Sequence, residues 1–233
     1  MKFKTKAPLG IIGLAVAAAL GSYANAATIM IKPMDAAASV EFDGRPAGDT
    51  LNDTQSTLDT GAPLPSTLPT VNVIKTDNWL ALQGPGPIVE GNIDDQWIVY
   101  DLGDTYDVNG IYVWNYWDSP ANGSTQGAKD VDVLFATTLD NTFGTQASVD
   151  NDFSGLISAV FPQMTDVTSN QGTGGLVSLG SATTARYVLF NINTSHGHVN
   201  RVGIGEIRFT NIPEPSSLAL LGLGSLLLLR RRR

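Results

Sequence analysis

Residues 96–103 read Gln96-Trp97-Ile98-Val99-Tyr100-Asp101-Leu102-Gly103, aromatic and β-branched side chains closed by an aspartate and a glycine. Such a run is a strand signal. Working outward from it, the same texture returns at Gly110–Tyr116, Asp130–Ala136, Gly175–Leu179, Arg186–Ile192 and Ile204–Thr210, and it precedes the run at Thr28–Lys32. In Asp130–Ala136 the alternation is clear: Val131, Val133 and Phe135 share one face, Asp130 and Asp132 the other. Clusters of Gly, Asn, Asp and Pro separate the runs, and no window sustains a helical period. Between residues 27 and 212 Asp outnumbers Glu 18 to 3, a bias toward turns and away from helix interiors. Seven or so strands with polar connections predict an all-β, antiparallel sandwich or barrel. Two stretches resist assignment. Residues 44–75, with Gly61-Ala62-Pro63-Leu64-Pro65, and residues 140–174 are long and polar, the kind of connection that is functional or disordered.

Both chain ends are apolar. Residues 1–26 read as a signal peptide: Lys2, Lys4 and Lys6, an apolar stretch from Leu9 to Leu20, and Ala24-Asn25-Ala26 as the small-x-small cleavage site. At the other end, Pro213-Glu214-Pro215 precedes an apolar run from Leu218 to Leu229 and four terminal arginines, Arg230 to Arg233. The run is short for a membrane span, and snorkelling arginines lengthen its reach. The positive-inside rule keeps those arginines on the cytoplasmic side. Residues 213–233 resemble the PEP-CTERM sorting signal of Gram-negative bacteria, which has a Pro-Glu-Pro triplet, a hydrophobic helix and an arginine cluster in this order. The resemblance implies a short transmembrane helix, recognition by an exosortase and cleavage near the triplet. It also implies a transient stay in the inner membrane before delivery to the cell surface or an exopolysaccharide matrix.

The remaining body, residues 27–212, is one domain by length, large enough to bury a core without covalent staples. It keeps 7 of the 14 basic and 21 of the 22 acidic side chains, a net charge of −14. That balance argues against a nucleic-acid partner, which needs clustered Lys and Arg. The absence of cysteine excludes a disulfide scaffold, a thiolate metal site and a thiol nucleophile.

The order of the strands carries a second resemblance. Gln96–Gly103 has the W-x-x-x-DLG pattern and is followed by Val108–Tyr116 with Trp114-Asn115. Gly127–Val133, Ala185–Phe190 and Gly203-Ile204-Gly205-Glu206-Ile207-Arg208-Phe209 come next. Over roughly 38–210 this resembles the discoidin, or coagulation factor 5/8 type C, domains of the galactose-binding-like superfamily. The resemblance implies an eight-stranded jelly roll whose loops at one end bind a ligand, commonly carbohydrate or a lipid headgroup. The departure is a long insertion between Asp43-Gly44 and Trp79, where such domains have a short connection. Many jelly-roll binding modules hold a structural Ca²⁺ between an early Asp-Gly loop and a glutamate of the last strand, positions that match Asp43 and Glu206. A salt bridge from Glu206 to Arg186 or Arg201 is the competing account.

For sugar recognition, aromatic faces beside polar loop groups are the expected chemistry. Trp117, leading into a turn-rich loop with Asn122, is the first candidate platform and Trp79 the second; packing at a sandwich corner is the alternative for Trp117. Trp97 and Trp114 lie within strands and read as core. For catalysis the sequence offers little. His196 and His198 flank Gly197 with no partner nearby, acid pairs such as Asp94-Asp95 or Asp150/Asp152 are expected by chance, and no nucleophile, phosphate-loop or dinucleotide motif is present. Asp150-Asn151-Asp152-Phe153-Ser154-Gly155 copies the first half of an EF-hand loop, but Phe161 stands where its closing glutamate belongs. The expectation is therefore a non-enzymatic, exported sandwich that binds carbohydrate. A self-associating surface protein and a glycan-active hydrolase or lyase are the alternatives.

Overall fold

The computed structural model describes residues 28–42, 44–51, 60–63, 70–72, 78–82, 92–117, 123–164, 171–198 and 200–211. The expected signal peptide, the Pro213–Pro215 triplet and the C-terminal helix lie outside them. Among the described residues ten strands run in the order β1 (Ile29–Ile31), β2 (Asp35–Ala38), β3 (Thr70–Asn72), β4 (Trp79–Leu82), β5 (Asn92–Asn115), β6 (Asp130–Ala136), β7 (Ser154–Val160), β8 (Gln171–Thr173), β9 (Gly175–Thr194) and β10 (Arg201–Asn211). A short α-helix, α1, spans Gln146–Asn151.

Pairs of expected strands turn out to be continuous. The runs 97–102 and 110–115 belong to β5, with Tyr116 just past its end, and 175–179 and 186–192 belong to β9. The two pair antiparallel from Asn92↔Thr194 to Val113↔Gly175. At 24 residues β5 is several times the usual strand length of about 5–6, and it bends. Its register against β9 shifts between Asp101 and Tyr106 and again between Val108 and Gly110, where unmatched residues kink a strand. Before the bend, β2 lies on the free side of β5, and β6 then β7 lie beyond β9. After it, β10 takes the free side of β5, with β4 and β1 paired to its two ends. One ribbon thus serves both layers of the sandwich. β3 and β8 form a separate two-stranded sheet.

The core fills the space between the layers. Ile98, Tyr100, Val133 and Phe190 come from the first layer, and Ile111, Val113, Ile207 and Phe209 from the second. Ring contacts cross the gap: Tyr100 and Phe190 both meet Phe209, at 5.7 and 5.9 Å between centroids. Two satellite clusters cover the outer faces. Trp97, Val99 and Leu189 are buried on the outside of the first layer under Phe143, Val149 and Phe153. Met30, Tyr112, Trp114, Trp117 and Met164 do the same for the second. Trp97 and Trp114 are thus buried, but outside the central core.

The second unassigned stretch supplies Phe143, Val149 and Phe153 to one cover and Met164 to the other, and the first places Ala47 and Leu51 against the central core. Residues 140–174 hold α1, β7 and β8. Thr145 caps α1, its hydroxyl accepting from Ser148 N at 3.3 Å. Within 44–75, Gly61 N donates to Met30 O and Met30 N to Ala62 O, so this chain runs along β1.

At the bend the Asp101 side chain ties β5 to β9. Its Oδ1 accepts from Gly103 N at 2.7 Å, which holds the turn where Gly103 takes a positive φ of 83°. Arg186 on β9 closes a bidentate pair, Nε to Oδ1 and Nη2 to Oδ2, both 2.9 Å. Partial burial alone would raise this carboxyl; the Arg186 guanidinium and the Gly103 N–H outweigh it and hold the group below the usual carboxylate range. A depressed folded value stabilises above the unfolded value of about 3.9 and is lost as pH falls through the folded one. Asp101→Asn should therefore lower the melting temperature at pH 7, with the gap from wild type closing on titration below about pH 4. A gap that stays constant down to pH 2 would show that the charge is not what holds the bend.

Candidate functional site

Trp79 and Trp117, expected to offer open rings, are both packed. Trp79 lies opposite Ile204 of β10 with its ring in the core, wholly buried, and its Nε1 donates to Val40 O at 2.9 Å. Trp117 is 9% exposed; its ring completes the cluster of Met30, Tyr112, Trp114 and Met164. The alternative for Trp117, packing at a corner of the sandwich, is the arrangement seen. The reason is spatial: the outer face of the second layer is already lined by large side chains, and a tryptophan at its end joins them. Asn122 and Asp43 lie outside the described residues, as do Ala24 and Ala26.

Glu206 is buried on β10, and its Oε1 sits 2.7 Å from Nη2 of Arg208, a fully buried cation two residues on. The expected salt-bridge partners are engaged elsewhere: Arg186 binds Asp101, and Arg201 lies over the Phe42 ring at 5.3 Å. Among the described residues no three His, Asp or Glu side chains gather as a metal-binding group. Asp150 belongs to α1, and Asp152 closes that helix, both its oxygens taking bonds from Asn141. That turn is helix capping. The histidines are likewise tied to backbone: His196 Nε2–H donates to Phe161 O at 3.0 Å, and His198 Nδ1 accepts from Asn200 N at 3.3 Å. Burial lowers both imidazoles, helped by Lys129 at His196 and Arg201 at His198, so both stay neutral at pH 7.

A cleft of about 500 Å³ opens on the outer face of the first layer, lined by Trp97, Leu134, Gln146, Val149, Asp150, Leu189 and Asn191. The strands supply its floor. Trp97 on β5 faces Asn191 on β9, and Leu189 faces Leu134 on β6. α1 supplies the wall. Trp97 Nε1 donates to Gln146 Oε1 at 2.9 Å, and Gln146 Nε2 donates to Asp150 Oδ1 at 2.8 Å. This chain of bonds fixes the indole and the carboxylate before any ligand arrives. Asn191 differs from both: it is exposed in mid-strand and its amide has no hydrogen-bond partner within the described structure. The cleft therefore joins apolar surface to a donor-acceptor amide and a fixed acid, a set that suits a neutral polar molecule with an apolar face.

Of these lining residues only Asp150 stands out as a candidate in the sequence, as one of a chance acid pair and as the start of an EF-hand-like turn, and not as part of a sugar site. Trp97 reads as core, and α1 is too short to show a period. The available signals were the unusual length of the 140–174 segment and the polar Asn191 at the outward position of an apolar strand.

Residues 211–233 match the PEP-CTERM protein-sorting motif. No curated protein matches the chain. Among solved structures, the chain is similar to the family 32 carbohydrate-binding module of NanJ from C. perfringens, solved with galactose. Identity is 13%, covering 79% of this chain and 99% of the other, with a TM-score of 0.47. It is also similar to the lectin domain of lectinolysin with Lewis B antigen (16% identity, 75% and 90% covered, TM-score 0.43). A third is chitosan-binding module 1 from a Paenibacillus chitosanase/glucanase (18%, 77% and 95% covered, TM-score 0.41).

The Glu206–Arg208 pair generates a stability prediction. Breaking a buried ion pair from one side is costly because the other charge stays buried. Glu206→Gln should lower the free energy of unfolding by about 3 kcal/mol in urea titrations. A change under about 0.5 kcal/mol would mean that Arg208 draws its stabilisation from other groups.

Proposed function

We propose that this is an exported, non-catalytic protein whose sandwich binds carbohydrate in the Trp97–Asn191 cleft. The observation that carries the reading is the cleft itself: an indole edge and leucine floor beside an unbonded amide and an oriented carboxylate. A pyranose offers the complement, an apolar C–H face ringed by hydroxyls that both donate and accept. The tail motif supports export. In this reading an exosortase cuts near Pro213-Glu214-Pro215 after a transient stay in the inner membrane. The body then reaches the cell surface or an exopolysaccharide matrix.

A structural Ca²⁺ held by Asp43 and Glu206 belongs to the same reading. With Arg208 on Glu206 Oε1, the ion would rely on the second carboxylate oxygen and on groups from other segments. A chelator should then lower the melting temperature of the wild type and leave Glu206→Gln unmoved. An unchanged wild-type transition disposes of the ion.

Self-association is a second reading, favoured by β7. This strand pairs with β6 alone among the described strands, and it carries Leu156 and Val160, 58% and 64% exposed. An apolar strand edge of this kind is a template for another chain, and sedimentation over a range of concentrations separates monomer from oligomer.

For the saccharide reading the discriminating variant is Asn191→Ala. Its side chain is exposed and makes no hydrogen bond within the described structure, so the melting temperature should stay within about 2 °C. Glycan affinity should fall about tenfold, the loss of one or two hydrogen bonds. Unchanged binding to every glycan that the wild type retains would place the site elsewhere.

A further inference from the structure

The face that holds the cleft continues past it toward β7. Trp97 stands opposite Asn191, Asn191 opposite Asp132, and Asp132 opposite Ser158. This row takes one residue from each of β5, β9, β6 and β7, so its three inter-strand steps span roughly 14 Å. Asp132 and Ser158 point to the same outer face as the cleft, because Val131 and Val133 on either side of Asp132 are in the core. Ser158 Oγ donates to Asp132 Oδ1 at 2.7 Å, and Asn193 Nδ2 donates to Oδ2 at 3.0 Å. The row thus runs from the indole wall, past the unbonded Asn191 amide, to a fixed carboxylate and an exposed hydroxyl at the sheet edge.

The charges along this path are one-sided. Among the described residues Asp150 bonds only to the neutral Gln146, and Asp132 only to the neutral Ser158 and Asn193. Asp130, farther along β6, differs in having Lys129 at 3.7 Å. Two carboxylates with no cation among the described residues therefore border the path, within a body of net charge −14. A ligand carrying its own carboxylates meets repulsion here, while hydroxyls or ammonium groups meet acceptors.

Resting on the saccharide reading of the cleft, we propose that the ligand is an extended glycan chain lying across the strands from Trp97 to Ser158. Asp132 and Asp150 restrict that chain to uncharged or amine-bearing sugars and reject polymers of uronic acids. The amide at Asn191 meets the sugar ring seated in the cleft, and the Asp132–Ser158 pair meets a ring farther along the same chain.

The test is isothermal titration of the full-length protein in mild detergent at low salt. The probes are neutral hexasaccharides of β-linked glucose, galactose and mannose, a glucosamine hexamer, a mannuronate hexamer from alginate, and the dimer of each. Expected are binding of at least one neutral or amine-bearing hexamer, about tenfold weaker binding of its dimer, and mannuronate at least about tenfold weaker than the best hexamer. In the double variant Asp132→Asn/Asp150→Asn the preference over mannuronate should shrink about fivefold, because the repulsion is gone. Equal affinity for hexamer and dimer confines the ligand to the cleft and overturns the extended path. Equal affinity for mannuronate in the wild type, or an unmoved preference in the double variant, overturns the charge selection while leaving carbohydrate binding intact. Failure of every hexamer to bind removes both this proposal and the reading beneath it.

Discussion

Everything in this sandwich hangs from a single ribbon that must belong to two sheets at once. β5 and β9 pair along nearly their whole length, yet the first half of the ribbon faces the second across the core. Such a ribbon needs a bend with its backbone groups still satisfied. Asp101 supplies it: one carboxylate holds Gly103 N inside the turn and Arg186 on the paired strand. The Asp-Leu-Gly triplet is therefore a hinge cast in hydrogen bonds. Leu102 between the two polar anchors drops into the core.

The ribbon also decides where a ligand can sit. Because the inner faces of both layers are consumed by the core, functional groups must come from outer faces or from loops at the ends. The outer face of the second layer is filled by Tyr112, Trp114 and Trp117 against Met30 and Met164. The first layer is covered only in part, by α1 and the residues around it, and the uncovered part is the cleft and its polar row. The tryptophans whose sequence context suggested an open platform are thus packing residues. The one that borders the cleft, Trp97, sits in the middle of a strand.

Electrostatics divides along the same lines. Two ion pairs, Asp101–Arg186 and Glu206–Arg208, each engage a cation, one partly exposed at the bend and one fully buried. With only 7 basic residues in the body, those pairings leave few for the surface. The outer face of the first layer accordingly carries carboxylates balanced by neutral donors, and its field favours partners of neutral or opposite charge.

Much of this molecule is written locally. The aspartate bias, the alternation in Asp130–Ala136 and the β-rich runs specify an antiparallel all-β domain, because strand pattern is a property of neighbouring residues. The motif at the end of the chain is equally local, read from its order of residues alone. Other features depend on distance in sequence. That 97–102 and 110–115 are one strand follows from their common partner β9, some 80 residues away. That Glu206 pairs with Arg208 and not with Arg186 follows from Asp101 having claimed Arg186 across 85 residues. That Asn191, Gln146 and Asp150 share a cleft with Trp97 requires α1 to cross the first layer. Its six residues show no period that would announce a face. The sequence by itself determined the strands and the address, because both are encoded by adjacent side chains. Only the tertiary structure decided which aromatics are buried and which polar groups converge, because burial depends on what the rest of the chain lays over them.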